Sequence, residues 1–328
     1  MGKKRKTVPG VWLDYRQAAS KKLLGNISAA AMAGRYLWTA SDEGRTVECL
    51  EPHKRGFRLH KQIGLDDVFA SLPGDAKDEL DIEALSISDG TLWICGSHCR
   101  VRRNRTNTTT VDPRLRARPS RCLLGAVELR KDGGGLVGAG RPLPYRGTGS
   151  LRTLLGANPY IAPFINLPSK ENGLDIEGLC VAGRRLFLGL RGPVVDSIAL
   201  AMELAVAATA VAWSRKPVAH FLDLGGLGIR DLAAHGGQVL IVAGPVSAAN
   251  GPFRLYHWRP RRSDRVQRPR LLMEWTGAST EHPEGICILA RKRRQGLLVL
   301  YDAPDQTRIK KSRYRADWIP LARLGLGA

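Results

Sequence analysis

The chain has 328 residues, a formal charge of +21, 43% apolar residues and six cysteines. That length supports a substantial core, in one closed β domain or in two smaller ones. The cysteines (49, 95, 99, 122, 180 and 287) show neither a disulfide framework nor a supported zinc spacing, so reduced thiols in a cytoplasmic protein are expected.

The first ten residues, MGKKRKTVPG, are basic with no apolar segment behind them, and read as a flexible tail rather than a signal peptide. VWLDY (11–15) reads as a strand, and NISAAAMAGRYLWTASDE (26–43) as a first strand–turn–strand unit with Ser28 near its start. LDIEALSISDGTLWICGSH (80–98) repeats the layout with Glu83 in that slot and an Asp89-Gly90 turn. GLDIEGLCVAGRRLFLGLRGPV (173–194) repeats it with Glu177, GIRDLAAHGGQVLIVAGP (228–245) with Arg230, and HPEGICILARKRRQGLLVLYD (282–302) with Glu284. Short apolar runs joined by Gly-containing turns are hairpin signals.

The slots recur at 55 residues (Ser28 to Glu83), 53 (Glu177 to Arg230) and 54 (Arg230 to Glu284), with one long interval of 94. After each hairpin come further strand-like runs, such as CLLGAVELR, GLVGAGRPL, FRLYHWRP and RLLMEW. Four antiparallel strands at a period near 54 predict an all-β fold, a β-propeller of four-stranded blades. Five blades result if residues 11–15 supply the final blade's missing strand and close the ring; six is the alternative. One domain is expected over 11–320, with a basic loop insertion at 99–121 explaining the long interval. The apolar stretch 194–213 is interrupted by Asp196 and Glu203. It falls short of the ~20 uninterrupted apolar residues of a membrane span and reads as buried strand.

Inner strands line a propeller's axis, and antiparallel hairpins return the second strand's end to the face where the first began. Glu83, Glu177, Arg230, Asp231 and Glu284 are therefore expected at one axial mouth, with Asp42, Glu43, His98 and Arg191 returning beside them. Clustered carboxylates repel unless a cation or hydrogen-bond donors balance them. Glu83, Glu177 and Glu284 are the candidate metal ligands, for calcium or another divalent cation. Arg230, Asp42 and Glu43 join them as ligand-binding candidates, and His98, Arg191 and Asp231 are the candidate catalytic groups.

DIEALS…GTLWICGSH, NGLDIEGLCV…LFLGLRGPV and HPEGICIL resemble the bacterial family known as domain of unknown function 3616, over roughly residues 25–302. The resemblance implies a propeller and names no reaction. More distantly, the Glu-Gly-Leu inner strand is similar to that of phytase-like and lactonase-like propellers, which implies calcium at the axis and metal-assisted hydrolysis. Only Glu83, Glu177 and Glu284 match the acidic position; Ser28 and Arg230 depart from it.

Two functions stay open. One is a hydrolase of esters or phosphoesters whose carboxylates hold a cation, with His98 moving protons. The other is a non-catalytic binding or scaffold propeller that docks a small or anionic ligand through its mouth and Arg-rich loops (100–105, 114–121, 259–265 and 291–294). Few aromatics interleave those clusters and no nucleic-acid motif is present, so specific nucleic-acid binding is not expected; a monomer is.

Overall fold

The computed structural model describes residues 8–102, 114–207, 210–211, 216–247, 251–275 and 281–327. Strand β1 (Gly10–Asp14) leads into a first unit of β2 (Ile27–Ala33), β3 (Tyr36–Ser41), β4 (Thr46–His53) and β5 (Gly56–Gly64). The second unit holds β6 (Ile82–Ser88) and β7 (Thr91–Gly96), an excursion of β8 (Arg100–Arg102) and β9 (Leu115–Ala117), then β10 (Leu124–Leu129) and β11 (Leu136–Pro142). The third holds β12 (Asp175–Ala182), β13 (Arg185–Val195), β14 (Ile198–Ala207), the short β15 (Ala210–Val211) and β16 (Val218–Asp223). Next come β17 (Gly228–His235), β18 (Gln238–Gly244), β19 (Phe253–Trp258) and β20 (Arg270–Trp275). The last unit holds β21 (His282–Arg291), β22 (Arg294–Asp302), β23 (Ile309–Lys310) and β24 (Arg313–Pro320).

Within each unit the strands pair antiparallel in up-and-down order. The hairpin turns have the required chemistry: Asp89 and Gly90 (φ +48° and +72°) and Gly236 and Gly237 (φ +55° and +72°) adopt the left-handed backbone of a type I′ turn. In the last unit, β1 completes the order β21–β22–β24–β1 and also meets β5 in parallel at Leu13 and Asp14. The chain's two ends are thus joined in one sheet, and Val11, Leu13 and Tyr15 are fully buried there.

Apolar clusters fill the spaces between consecutive units. Trp38 and Ile94 share one, Trp93 and Leu188 another, and Phe187 and Trp258 a third. Leu240 packs with Leu297, and Leu13 and Leu37 pack with Leu298 and Tyr314, which brings the last unit against the first. The innermost strands β2, β6, β12, β17 and β21 neighbour one another in turn, and β21 returns to β2. Small residues permit that approach. A Cβ on Gly178 would lie 2.8 Å from Leu232 of the next inner strand, and one on Gly285 3.0 Å from the Ser28 carbonyl oxygen. This explains the Gly that follows Glu177 and Glu284.

The segment 99–121, expected as a basic loop insertion, has some regular structure at its ends. Its ends pair as β8 with β9, and Cys99 is buried; residues 103–113, which include Arg103 and Arg105, lie outside the described residues. The long interval is also filled by residues 143–174, which carry a short helix, Leu151–Gly156, capped by the Ser150 side chain. All six cysteines are free and buried.

Candidate functional site

Every inner hairpin breaks register at its slot. The shifts fall between Ile27 and Ala29, Ile82 and Ala84, Ile176 and Gly178, Ile229 and Asp231, and Pro283 and Ile286. Ser28, Glu83, Glu177, Arg230 and Glu284 are therefore bulge residues, left out of the pairing. A bulge bends the strand and re-aims its side chain, which is why bulges gather beside functional sites.

The slots meet through ion pairs. Arg230 Nε lies 2.8 Å from Glu177 Oε2, and its Nη2 contacts Glu284 Oε1. Arg191 Nη1 donates to Glu177 Oε1 at 2.5 Å, and Nη2 lies 3.3 Å from Asp175 Oδ2. Asp81 takes Arg121 Nη1 at 2.7 Å and a hydrogen bond from Ser97 Oγ. Asp81, Asp175 and His282 each precede a slot by two residues; Asp81 does so from just outside β6, on a left-handed backbone with φ +53°.

Acid outweighs base here. Seven carboxyls (Asp42, Asp81, Glu83, Asp175, Glu177, Glu284 and Asp302) face three guanidiniums (Arg121, Arg191 and Arg230). The excess shows in their proton affinities. Burial, then the charges of Asp81, Glu177, Asp42 and Asp175, holds the Glu83 carboxyl well above the usual range. Burial, then Asp302, Asp81 and Glu43, pushes Asp42 up to about 8. Asp175 rises to about 7 through burial, which its Arg191 partner only partly offsets. Arg191 itself stays firmly charged, because Glu177, Asp175 and Glu83 outweigh its burial.

One side of this group offers ligand atoms to a metal. His282, Glu284 and Asp302 each present one such atom, all within 4.8 Å of one another. Phe253 of the preceding unit stacks on the His282 ring with centroids 5.5 Å apart, which fixes the imidazole's orientation. Asp42, whose carboxyl feels the charge of Asp302, has a buried Oδ1 with no hydrogen-bond partner among the described residues. Glu43 follows it and adds to the negative field.

Three sequence candidates sit differently from the roles assigned to them. The Glu177 carboxylate is occupied by Arg191 and Arg230, so it is engaged with guanidiniums rather than offered to a cation. Asp231 accepts from Leu232 N and from Ile286 N of the next inner strand, both at 2.7 Å, and works as a clamp between units. His98 is buried with Nε2 on the Leu123 carbonyl at 3.2 Å, and desolvation and Arg152 push its pKa down to about 3. A neutral, enclosed imidazole is poorly suited to moving protons near pH 7. The residues missed were Asp81, Asp175, Arg121 and His282; the signal for the first two was the tetrapeptide LDIE, which occurs at 80–83 and again at 174–177.

Stacked antiparallel four-stranded units around an axis, with a polar mouth built from bulges, define a β-propeller. Residues 26–317 match the family described as "Protein of unknown function (DUF3616)", and the chain belongs to that family. Among curated proteins, no relative matches the chain. Solved structures similar to it include exo-beta-1,3-galactanase from Phanerochaete chrysosporium (10% identity, TM-score 0.49, covering 96% of this chain and 64% of that one). Another is Myxococcus xanthus glutaminyl cyclase (9% identity, TM-score 0.45, covering 96% of both chains). A third is Kuenenia stuttgartiensis hydrazine synthase (8% identity, TM-score 0.38, covering 87% of this chain and 59% of that one). The chain thus spans less than two thirds of the length of the galactanase and hydrazine synthase chains.

Proposed function

We propose that residues 11–320 form a single five-bladed propeller, with a basic insertion at 99–121, and that its axial mouth is a metal-dependent hydrolytic site for esters or phosphoesters. Five inner strands in a cycle and β1 as the outer strand of the last sheet support that count. The observation that carries the function is the juxtaposition of His282, Glu284 and Asp302 with an excess of buried, mutually repelling carboxyls.

The donor set fits a divalent cation: one imidazole and several oxygens, with Asp42 Oδ1 unpaired beside them. The imidazole moves the expected preference from Ca²⁺ toward Mn²⁺ or Zn²⁺, which accept nitrogen more readily. When bound, such an ion polarises a carbonyl or phosphoryl oxygen and lowers the pKa of water. Asp42 and Glu83, whose hold on a proton is raised by burial and by neighbouring acids, give it up more readily as positive charge arrives. Lowered from about 8 by that positive charge, the Asp42 carboxyl moves toward the range suited to proton transfer near pH 7. Arg191 and Arg230 tether Glu177 and place two guanidiniums at the mouth, the groups there that an anionic part of a substrate would meet.

Calorimetry with Mn²⁺, Zn²⁺ and Ca²⁺ in buffers of different ionisation enthalpy tests the site. Binding with proton release is expected, lost in Asp302→Asn and His282→Ala. A panel of nitrophenyl esters and phosphoesters tests the chemistry. Absence of cation binding, or binding indifferent to both substitutions, would refute the site; binding without metal-dependent turnover of any substrate would refute the hydrolase.

A further inference from the structure

The fourth unit carries a second polar site on its outer side, remote in character from the axial acids. The connection between β19 and β20 and the end of the chain enclose a cavity of about 820 Å³. Arg259, Arg261, Arg265, Arg268 and Arg270 line it together with His235 and His257, and no carboxylate is among the described residues that do so.

These guanidiniums differ from the basic residues around them in what holds them. Arg262 turns away from the cavity to bind buried Glu203 at 2.6 Å, and Arg254 binds Glu274 at 2.7 Å, so both charges are neutralised. Inside the cavity, Arg259 Nε donates to Gln238 Oε1 at 3.1 Å and Arg270 Nη2 to the Gly325 carbonyl at 3.4 Å. Neutral acceptors orient these two groups without cancelling their charge. Arg268 has only a 3.6 Å approach to Asp223, with both side chains well exposed. The positive field acts on the cavity's own imidazole: burial, then Arg270, Arg259 and His235, lowers the pKa of His257.

The loop that carries four of the arginines (259, 261, 265 and 268) is built, not slack. Gln267 exchanges backbone hydrogen bonds with Phe221 and Asp223 of the preceding unit, at 2.8 and 2.9 Å. Its side chain accepts from Trp258 Nε1 at 2.9 Å and from Arg261 N at 3.2 Å, and donates to the Arg261 carbonyl at 2.9 Å. Arg262, pinned to Glu203, anchors the same segment from below. Ordering this loop is therefore not left to the ligand, which lowers the cost of binding.

We propose that this cavity binds a ligand carrying two or more clustered phosphate groups. Guanidinium forks match phosphate oxygens with charge-assisted, paired hydrogen bonds, and five of them in one concavity exceed what a single phosphate needs. The phosphates belong to a small polyphosphate or to a nucleic-acid strand, and both present the same chemistry.

The test uses the full chain, inorganic tripolyphosphate and a fluorescent single-stranded oligonucleotide, at near-physiological salt. Tripolyphosphate is expected to bind, and Arg261→Ser with Arg265→Ser to weaken it about 100-fold, roughly tenfold per guanidinium. Both side chains are exposed, so folding is expected to survive, as a thermal melt verifies. The control is Lys292→Asn with Arg293→Asn, in the β21–β22 turn, where the left-handed backbone suits Asn. It is expected to leave binding unchanged. Oligonucleotide that competes for the cavity and binds more tightly identifies a strand as the source; failure to compete identifies a small polyphosphate. No binding of either probe, or equal losses in the control and the cavity variant, overturns the proposal.

Discussion

Asp42→Asn isolates the repulsion stored at the axial mouth. Burial and the charges of Asp302, Asp81 and Glu43 raise the Asp42 carboxyl from 3.8 to about 8. The folded protein therefore binds this proton more tightly than the unfolded chain does. Its contribution to stability is greatest below about pH 4 and is lost as the pH climbs toward about 8. At ~1.4 kcal/mol per pH unit, the full interval corresponds to roughly 6 kcal/mol. Solvent reaches part of the side chain and screens that figure to ~2–3 kcal/mol. For a chain of this size that is a fall in Tm of ~5 °C. Thermal unfolding in chelator from pH 5 to pH 8.5 is the assay. Wild-type protein should lose stability steadily across the window, while Asp42→Asn should show a shallower slope and be the more stable of the two at the alkaline end. Glu83 and Asp175 keep the slope from vanishing, since burial raises both of their carboxyls too. Saturating Mn²⁺ should restore the wild type at high pH, by ~3 kcal/mol at a hundredfold excess over Kd, and do less for the variant. A wild-type stability that is flat or rises with pH under chelation would falsify the picture of mutually repelling acids.

Closure by β1 predicts that Leu13→Ala costs ~2–5 kcal/mol, because the side chain is fully buried where the last sheet meets the first. Deleting residues 1–16 should lower the urea midpoint further, since it strips β24 and β5 of a partner and uncovers two strand edges; an unchanged midpoint would count against the closure. Asp231→Asn should cost ~1–3 kcal/mol, because one of two buried N–H groups loses its carboxylate acceptor. Calorimetry on that variant should find cation binding unchanged, in contrast to Asp302→Asn.

The hairpins were legible because their signals are local. Apolar runs, turns such as Asp89-Gly90, and a period near 54 identify the strands without reference to the rest of the chain. The same local logic located Arg191: β13 continues unbroken to Val195, so the returning strand does carry it back beside Glu177. It failed at His98 because β7 stops at Gly96 and the chain turns sharply. His98 adopts φ +54°, and its ring points to Leu123 rather than to the acids. The repeated Asp two residues before Glu was equally visible in the letters, yet its meaning depends on the arginines it meets, Arg121 for Asp81 and Arg191 for Asp175.

The amino-acid order settles the repeating units, the strand alternation and the placement of an ionisable residue at the head of most inner strands. Each follows from neighbours along the chain and from backbone sterics, and each can be read residue by residue. The stacking of the sheets alone inserts Arg230 between Glu177 and Glu284 and sets the arginine-bearing β19–β20 loop against Gly325, Leu326 and Gly327, whereas His282 and Asp302 already face each other within the β21–β22 hairpin. Those contacts between units join groups tens of residues apart. Their strength depends on separation and desolvation, quantities that take values only once the apolar faces between units have closed and excluded water.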